Sequence, residues 1–199
     1  ESAGVAKANL EVYRMFALAV LAGAFIGMGA VFATTVTTGA GELLPFGLVK
    51  LVAGAAFCLG LILVIGAGAE LFTGNNLIVM AWADRQVTTA ALLRNWAVVY
   101  VGNFVGALAT AVGMFLTKQY AFSNGAIGLN ALNTANAKMQ YDFVQAVMLG
   151  VFCNALVCLA VWLCIGARTA TDKILAILFP ITAFVAAGFE HSIANLYLL

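Results

Sequence analysis

The chain has 199 residues, of which 64% are hydrophobic and 9% charged, with a formal net charge of +1. A soluble domain carries roughly 25% charged and about 45–50% apolar residues, so a water-soluble globule of this size could not hide so much apolar side chain. Lipid is the expected solvent, and the scattered basic residues exclude a phosphate-tracking nucleic-acid surface.

In chain order, residues 1–14 read as a short amphipathic lead-in. Charge-free runs follow at 15–41, 51–69, 95–117, 143–167 and 174–189, and then, after Glu190 and His191, at 192–199. A spanning helix needs about 20 mostly apolar residues, and the runs predict five membrane-crossing segments. The segments must be helical, because open strands would leave backbone groups unpaired in hydrocarbon. The lack of alternation argues against a β-barrel. The first run is too long for a secretory signal peptide, and more spans follow it. The region 118–142 reads as the longest outer loop, with a turn signal at Asn124-Gly125.

Basic residues set the expected orientation. With the N-terminus inside, Lys7, Arg14, Arg85, Arg94, Arg168 and Lys173 lie on the inner face, and Lys50, Lys118 and Lys138 on the outer one. That bias fits the positive-inside rule. Gly23 and Gly27, and likewise Gly102 and Gly106, have the small-xxx-small spacing that lets helix backbones touch. Cys58, Cys153, Cys158 and Cys164 all lie in apolar runs. No disulfide framework is expected, and no metal site or cofactor.

The second segment continues past Glu70 to Ala83, too long for one plain span. Its middle reads Gly68-Ala69-Glu70-Leu71-Phe72-Thr73-Gly74-Asn75, and the fifth reads Gly188-Phe189-Glu190-His191-Ser192-Ile193-Ala194-Asn195. Both are Gly-x-Glu-x-x-x-x-Asn. Glycine and polar groups in mid-segment mark a broken helix, tolerable only where the freed backbone is buried in protein or lines a cavity. Two matched breaks point to inverted repeats with a site between them. Residues 1–120 then form a first three-helix repeat and 121–199 an incomplete second one, within a single transport domain. A sixth helix is expected to end near about residue 240, so that the chain reads as truncated.

His191 is the only histidine. At membrane depth beside a break, an ionisable group is functional by default. Glu70 and Glu190 are also intramembrane and must be paired, neutral or hydrogen-bonded. Their matched places suggest that they, with Asn75 and Asn195, tie down N–H groups freed at the breaks. Thr73 offers a hydroxyl at the first break, and Asn154 an amide at membrane depth. Phe57 and Leu61 share a helix face; on composition alone they and Phe184 read as packing residues. No nucleophile–base arrangement or phosphate loop is complete, so an enzyme is not expected.

These patches resemble the formate/nitrite transporter family. Gly68 to Thr73 is similar to the loop that breaks its second helix. Phe179-Pro180, Ala183-Phe184-Val185-Ala186 and Gly188 to Asn195 are similar to its broken fifth. Pro45-Phe46-Gly47 with Lys50-Leu51-Val52 matches the entry to the second helix, and Asn154 with Val157 to Trp162 matches the fourth. The likeness runs over nearly the whole chain. Thr34 to Gly39 and the region around Lys138 are nearest the formate branch.

The resemblance implies an all-α integral membrane protein with an aquaporin-like bundle, assembled as a homopentamer in a bacterial inner membrane, its N-terminus cytoplasmic. It implies passage of small monovalent anions such as formate, with nitrite or hydrosulfide as alternatives. His191 would be the pore histidine and Thr73 its partner. Phe57, Leu61 and Phe184 would form the outer constriction, and Leu71 and Phe72 the inner one. Lys138 would draw anions into the outer vestibule, and Asn154 would line the route. The sequence departs from the family in lacking the sixth helix, and its N-terminal helix is expected to be incomplete.

Two mechanisms remain open at this point. A neutral acid crosses an apolar ring at less cost than a carboxylate, so His191 could exchange a proton with the permeant. Alternatively, a neutral His191 only orients the anion. A water- or glycerol-type pore would carry paired Asn-Pro-Ala boxes, and none occurs. A non-transporting scaffold would not need His191 or the two breaks.

Overall fold

A computed structural model describes residues 2–199, and every regular element among them is helical. Helix α1 (Ser2–Ala8) leads into α2 (Val12–Thr37), and a single turn, α3 (Ala40–Leu43), precedes α4 (Phe46–Ala67). Short helices α5 (Phe72–Asn75) and α6 (Ile78–Ala83) follow, then α7 (Thr89–Leu116), α8 (Ala126–Lys138), α9 (Phe143–Gly166), α10 (Ala170–Ala186) and α11 (Ser192–Leu198). Helices α2, α4, α7 and α9 are long and apolar enough to cross a membrane. The fifth predicted span is divided into α10 and α11 by a non-helical turn around Gly188–His191.

The region 118–142 was expected as a loop. Its turn is present, with Asn124 and Gly125 at φ 55° and 84°. Beyond the turn, however, the chain is helical as α8. The reason is tertiary: Asn130 Nδ2 donates to the Thr34 carbonyl at 2.9 Å and reaches the hydroxyls of Thr37 and Thr38, docking α8 on the end of α2.

Helix α2 lies at the centre, against α7 on one side and α4 on the other, and α10 packs on α4 and α9. Close approach is what the glycine spacing permits. A Cβ on Gly106 would collide with the Val20 carbonyl oxygen and sit 2.8 Å from the Ala24 nitrogen, and one on Gly102 would sit 2.5 Å from the Ala19 Cβ. The larger core joins α2, α4, α9, α10 and α11 through Ile26, Phe57, Leu61, Val157, Ile181 and Ile193.

Both breaks have the same backbone construction. Gly68 and Gly188 are left-handed, with φ of 65° and 75°. The next residue bonds back to its helix: Ala69 N–H to Val64 O, and Phe189 N–H to Phe184 O, each at 2.9 Å. This is a Schellman-type stop, in which glycine adopts the left-handed conformation without steric penalty. The following N–H crosses to a neighbouring helix: Glu70 to Leu18 O on α2 at 3.2 Å, and Glu190 to Leu149 O on α9 at 3.3 Å.

Candidate functional site

The two glutamates are held in matching ways. Glu70 Oε1 accepts from Lys7 Nζ at 2.7 Å and its Oε2 from Asn75 Nδ2 at 2.6 Å. Glu190 Oε2 accepts from Lys138 Nζ at 2.5 Å and from Asn195 Nδ2 at 2.9 Å. Both carboxylates are nearly buried, and each charge is met by a lysine from the helix that precedes α2 or α9. The carboxylates therefore grip side chains, not the freed backbone N–H groups expected from the sequence. That task falls to neighbouring carbonyls and to Asn103, whose Oδ1 accepts from Phe72 N–H at 2.9 Å. The Asn103 amide donates in turn to Ala19 O and Glu70 O. Asn95 completes the inner cluster, accepting from Asn75 and donating to Lys7 O.

His191 caps α11. Its Nδ1 accepts from the Ala194 N–H at 3.0 Å, and its Nε2 lies 3.2 Å from Thr73 Oγ1 across the join of the two breaks. A nitrogen that accepts from a backbone N–H carries no hydrogen itself, so the neutral ring bears its hydrogen on Nε2 and donates it to Thr73. The imidazole is buried and stacks on Phe184 at a centroid distance of 5.7 Å, with Phe57 edge-on at 6.2 Å. Phe57 and Phe184 meet each other at 5.7 Å, and Leu61 is buried one turn below Phe57.

A cavity of about 710 Å³ opens above these rings, with Lys138, Glu190, Asn195, Phe57, Phe184 and His191 in its wall. At the other end of the molecule, a cavity of about 110 Å³ is lined by Lys7, Val161 and Gly74, the residue after Thr73. The Thr73–His191 contact and its phenylalanines thus stand between two hollows. Near the larger one, burial and then the Glu190 charge push the Tyr141 phenol above its usual range.

Leu71 is buried in the larger core. The Phe72 ring faces α7, edge-on to Tyr100 at 5.2 Å and to Trp96 at 6.4 Å. Asn154 donates to Cys158 Sγ, which reaches the Thr73 carbonyl at 3.5 Å. The Oδ1 atoms of Asn154 and Asn195 are buried without a hydrogen-bond partner. No functional role was expected for Asn95, Asn103 or Cys158. The available signal for the first two was a carboxamide within the long apolar run of α7.

The sequence matches the family profile described as "Formate/nitrite transporter" over residues 1–199. It is 47% identical to the Formate channel FocA of Escherichia coli (strain K12) over 199 residues, covering 100% of this chain and 70% of that protein. It is 39% identical to the Probable formate transporter of Methanothermobacter thermautotrophicus, covering 97% of this chain and 76% of that one. Among solved structures, a "Pentameric formate channel with formate bound" superposes with a TM-score of 0.85 at 44% identity, over 94% of this chain and 72% of its own. With the two broken helices and the imidazole held between them, these likenesses place the chain in the formate/nitrite transporter family.

Proposed function

We propose that this protein is a membrane channel for formate and related small monovalent anions, and that the Thr73–His191 pair is its point of selection. The observation that carries the reading is one buried polar contact between two cavities at opposite ends of a membrane-spanning bundle. The pentameric, formate-bound relative supports a homopentamer, and the two cavities within this one chain support one passage per protomer. Residues 1–120 and 121–199 act as two inverted repeats. The matched stops at Gly68 and Gly188 and the matched Lys–Glu–Asn clusters support that division. The positive-inside bias supports a cytoplasmic N-terminus in a bacterial inner membrane, so the larger cavity is the outer vestibule. Its floor is the outer constriction of Phe57, Leu61 and Phe184, and Leu71 and Phe72 belong to the inner one. Lys138 is a vestibule donor for the arriving carboxylate, and Asn154 lines the route. Nitrite and hydrosulfide are the alternative permeants.

At the pair, Nε2–H occupies one lone pair of Thr73 Oγ1, and the hydroxyl hydrogen is left to bond a passing oxyanion. This arrangement supports orientation by hydrogen bonds. An imidazolium would carry a second N–H at Nδ1, facing the Ala194 N–H at 3.0 Å. Proton donation by the ring would therefore sacrifice a buried backbone hydrogen bond, worth about 1–3 kcal/mol.

Stopped-flow formate flux in liposomes tests both points. His191→Phe should lower flux at least about tenfold, the effect of losing roughly 1.4 kcal/mol at the barrier. His191→Asn keeps a cap acceptor and a donor, and should retain a measurable fraction. Equal loss in both variants would favour proton exchange. Normal flux in His191→Phe would end the selection role.

A further inference from the structure

The larger cavity has four charged groups in its wall: Glu42, Lys50, Lys138 and Glu190. Lys138 and Glu190 are in contact at 2.5 Å, so they cancel. The field of such a pair falls off faster with distance than that of a lone charge. Lys50 differs. It lies in the second turn of α4, half-buried at the rim, and no carboxylate stands within ion-pair distance of it among the described residues. The face of the Phe46 ring lies 5.5 Å from its ammonium and holds it without neutralising it. Glu42, exposed on the same rim, likewise has no ion-pair partner among the described residues.

We propose that Lys50, and not Lys138, is the long-range anion-capture residue of this mouth, and that Glu42 opposes it. The proposal rests on the channel reading and names where an anion is first attracted. A charge in the wall of a concave, partly apolar mouth is focused into it and raises the local concentration of counter-ions. Neutralising Lys50 lowers that concentration, and neutralising Glu42 raises it.

The test reads the potential directly, without relying on transport. Asn133, exposed on the same wall, is replaced by cysteine. Its reaction rates with an anionic and a cationic methanethiosulfonate are compared, after subtracting rates for protein without Asn133→Cys. At about 10 mM salt, Lys50→Gln should lower the anionic-to-cationic ratio about two- to fivefold, and Glu42→Gln should raise it. Lys50→Arg should restore it, and about 0.5 M salt should erase all differences. An unchanged ratio in Lys50→Gln, or a change indifferent to salt, overturns the proposal. Formate flux is measured in parallel. At low salt, Lys50→Gln should raise the half-saturating formate concentration and leave the maximal rate unchanged; loss of maximal rate at high salt also overturns it. If the unaltered protein carries no formate but the ratio shifts as stated, the channel reading fails and the anion-attracting mouth stands.

Discussion

One backbone amide decides how His191 can behave. Because Ala194 N–H fills Nδ1, the ring has a single outward N–H, and Thr73 receives it. Thr73→Val keeps the shape and removes both the acceptor and the free hydroxyl hydrogen. Formate flux should fall about tenfold, with Thr73→Ser close to normal, as measured in liposomes. Asn103 is the complementary case, since its amide serves two backbone groups at the first break and a third on α2. Asn103→Ala should cost about 2–4 kcal/mol, because buried donors and acceptors lose their partners; a thermal-unfolding series in detergent reads this. His191 was legible in the sequence because an imidazole at membrane depth is rare. Asn103 was not, because its importance comes from the turn of another segment lying against it. The pairing of Lys7 with Glu70 was hidden for the same reason, the partners being far apart in the chain.

At the scale of elements, the breaks were legible because each stop needs glycine and each buried acid needs a reason. The α2–α7 seam was legible too, from glycines four apart. Gly106→Val should prevent the seam from closing. The cost should exceed about 3 kcal/mol, since the obstacle is backbone that cannot swing aside; a loss of monodisperse protein on size exclusion would register it. Helix α8 was missed because its residues have no strong periodicity and its stability comes from docking on Thr34 and its neighbours. Phe72, next to Leu71, sets its ring edge-on to Tyr100 and Trp96. Nothing in its own segment announces that direction.

For the whole molecule, the two Lys–Glu–Asn clusters carry most of the buried charge. Removing one partner leaves the other uncompensated at low dielectric, at a cost of about 3–5 kcal/mol. Glu190→Ala should therefore lower thermal stability sharply. The double change Glu190→Met with Lys138→Met should recover much of it, and a thermal-shift comparison of the single and double variants measures the coupling. The spacing of the clusters also bears on the proposed repeat. Glu70 and Glu190 are 120 residues apart and Lys7 and Lys138 are 131 apart, as read from their numbers. The extra length therefore lies between the lysine-bearing helix and the break, within a shared plan.

The matched stops have a consequence for direction of flow. A lysine–glutamate pair stands on each side of the Thr73–His191 contact, with Lys7 in the wall of the smaller cavity and Lys138 in that of the larger. An anion in such a passage would feel the concentration difference and the membrane potential together, so the balance of the two, and not the protein, would set whether the proposed channel exports or imports.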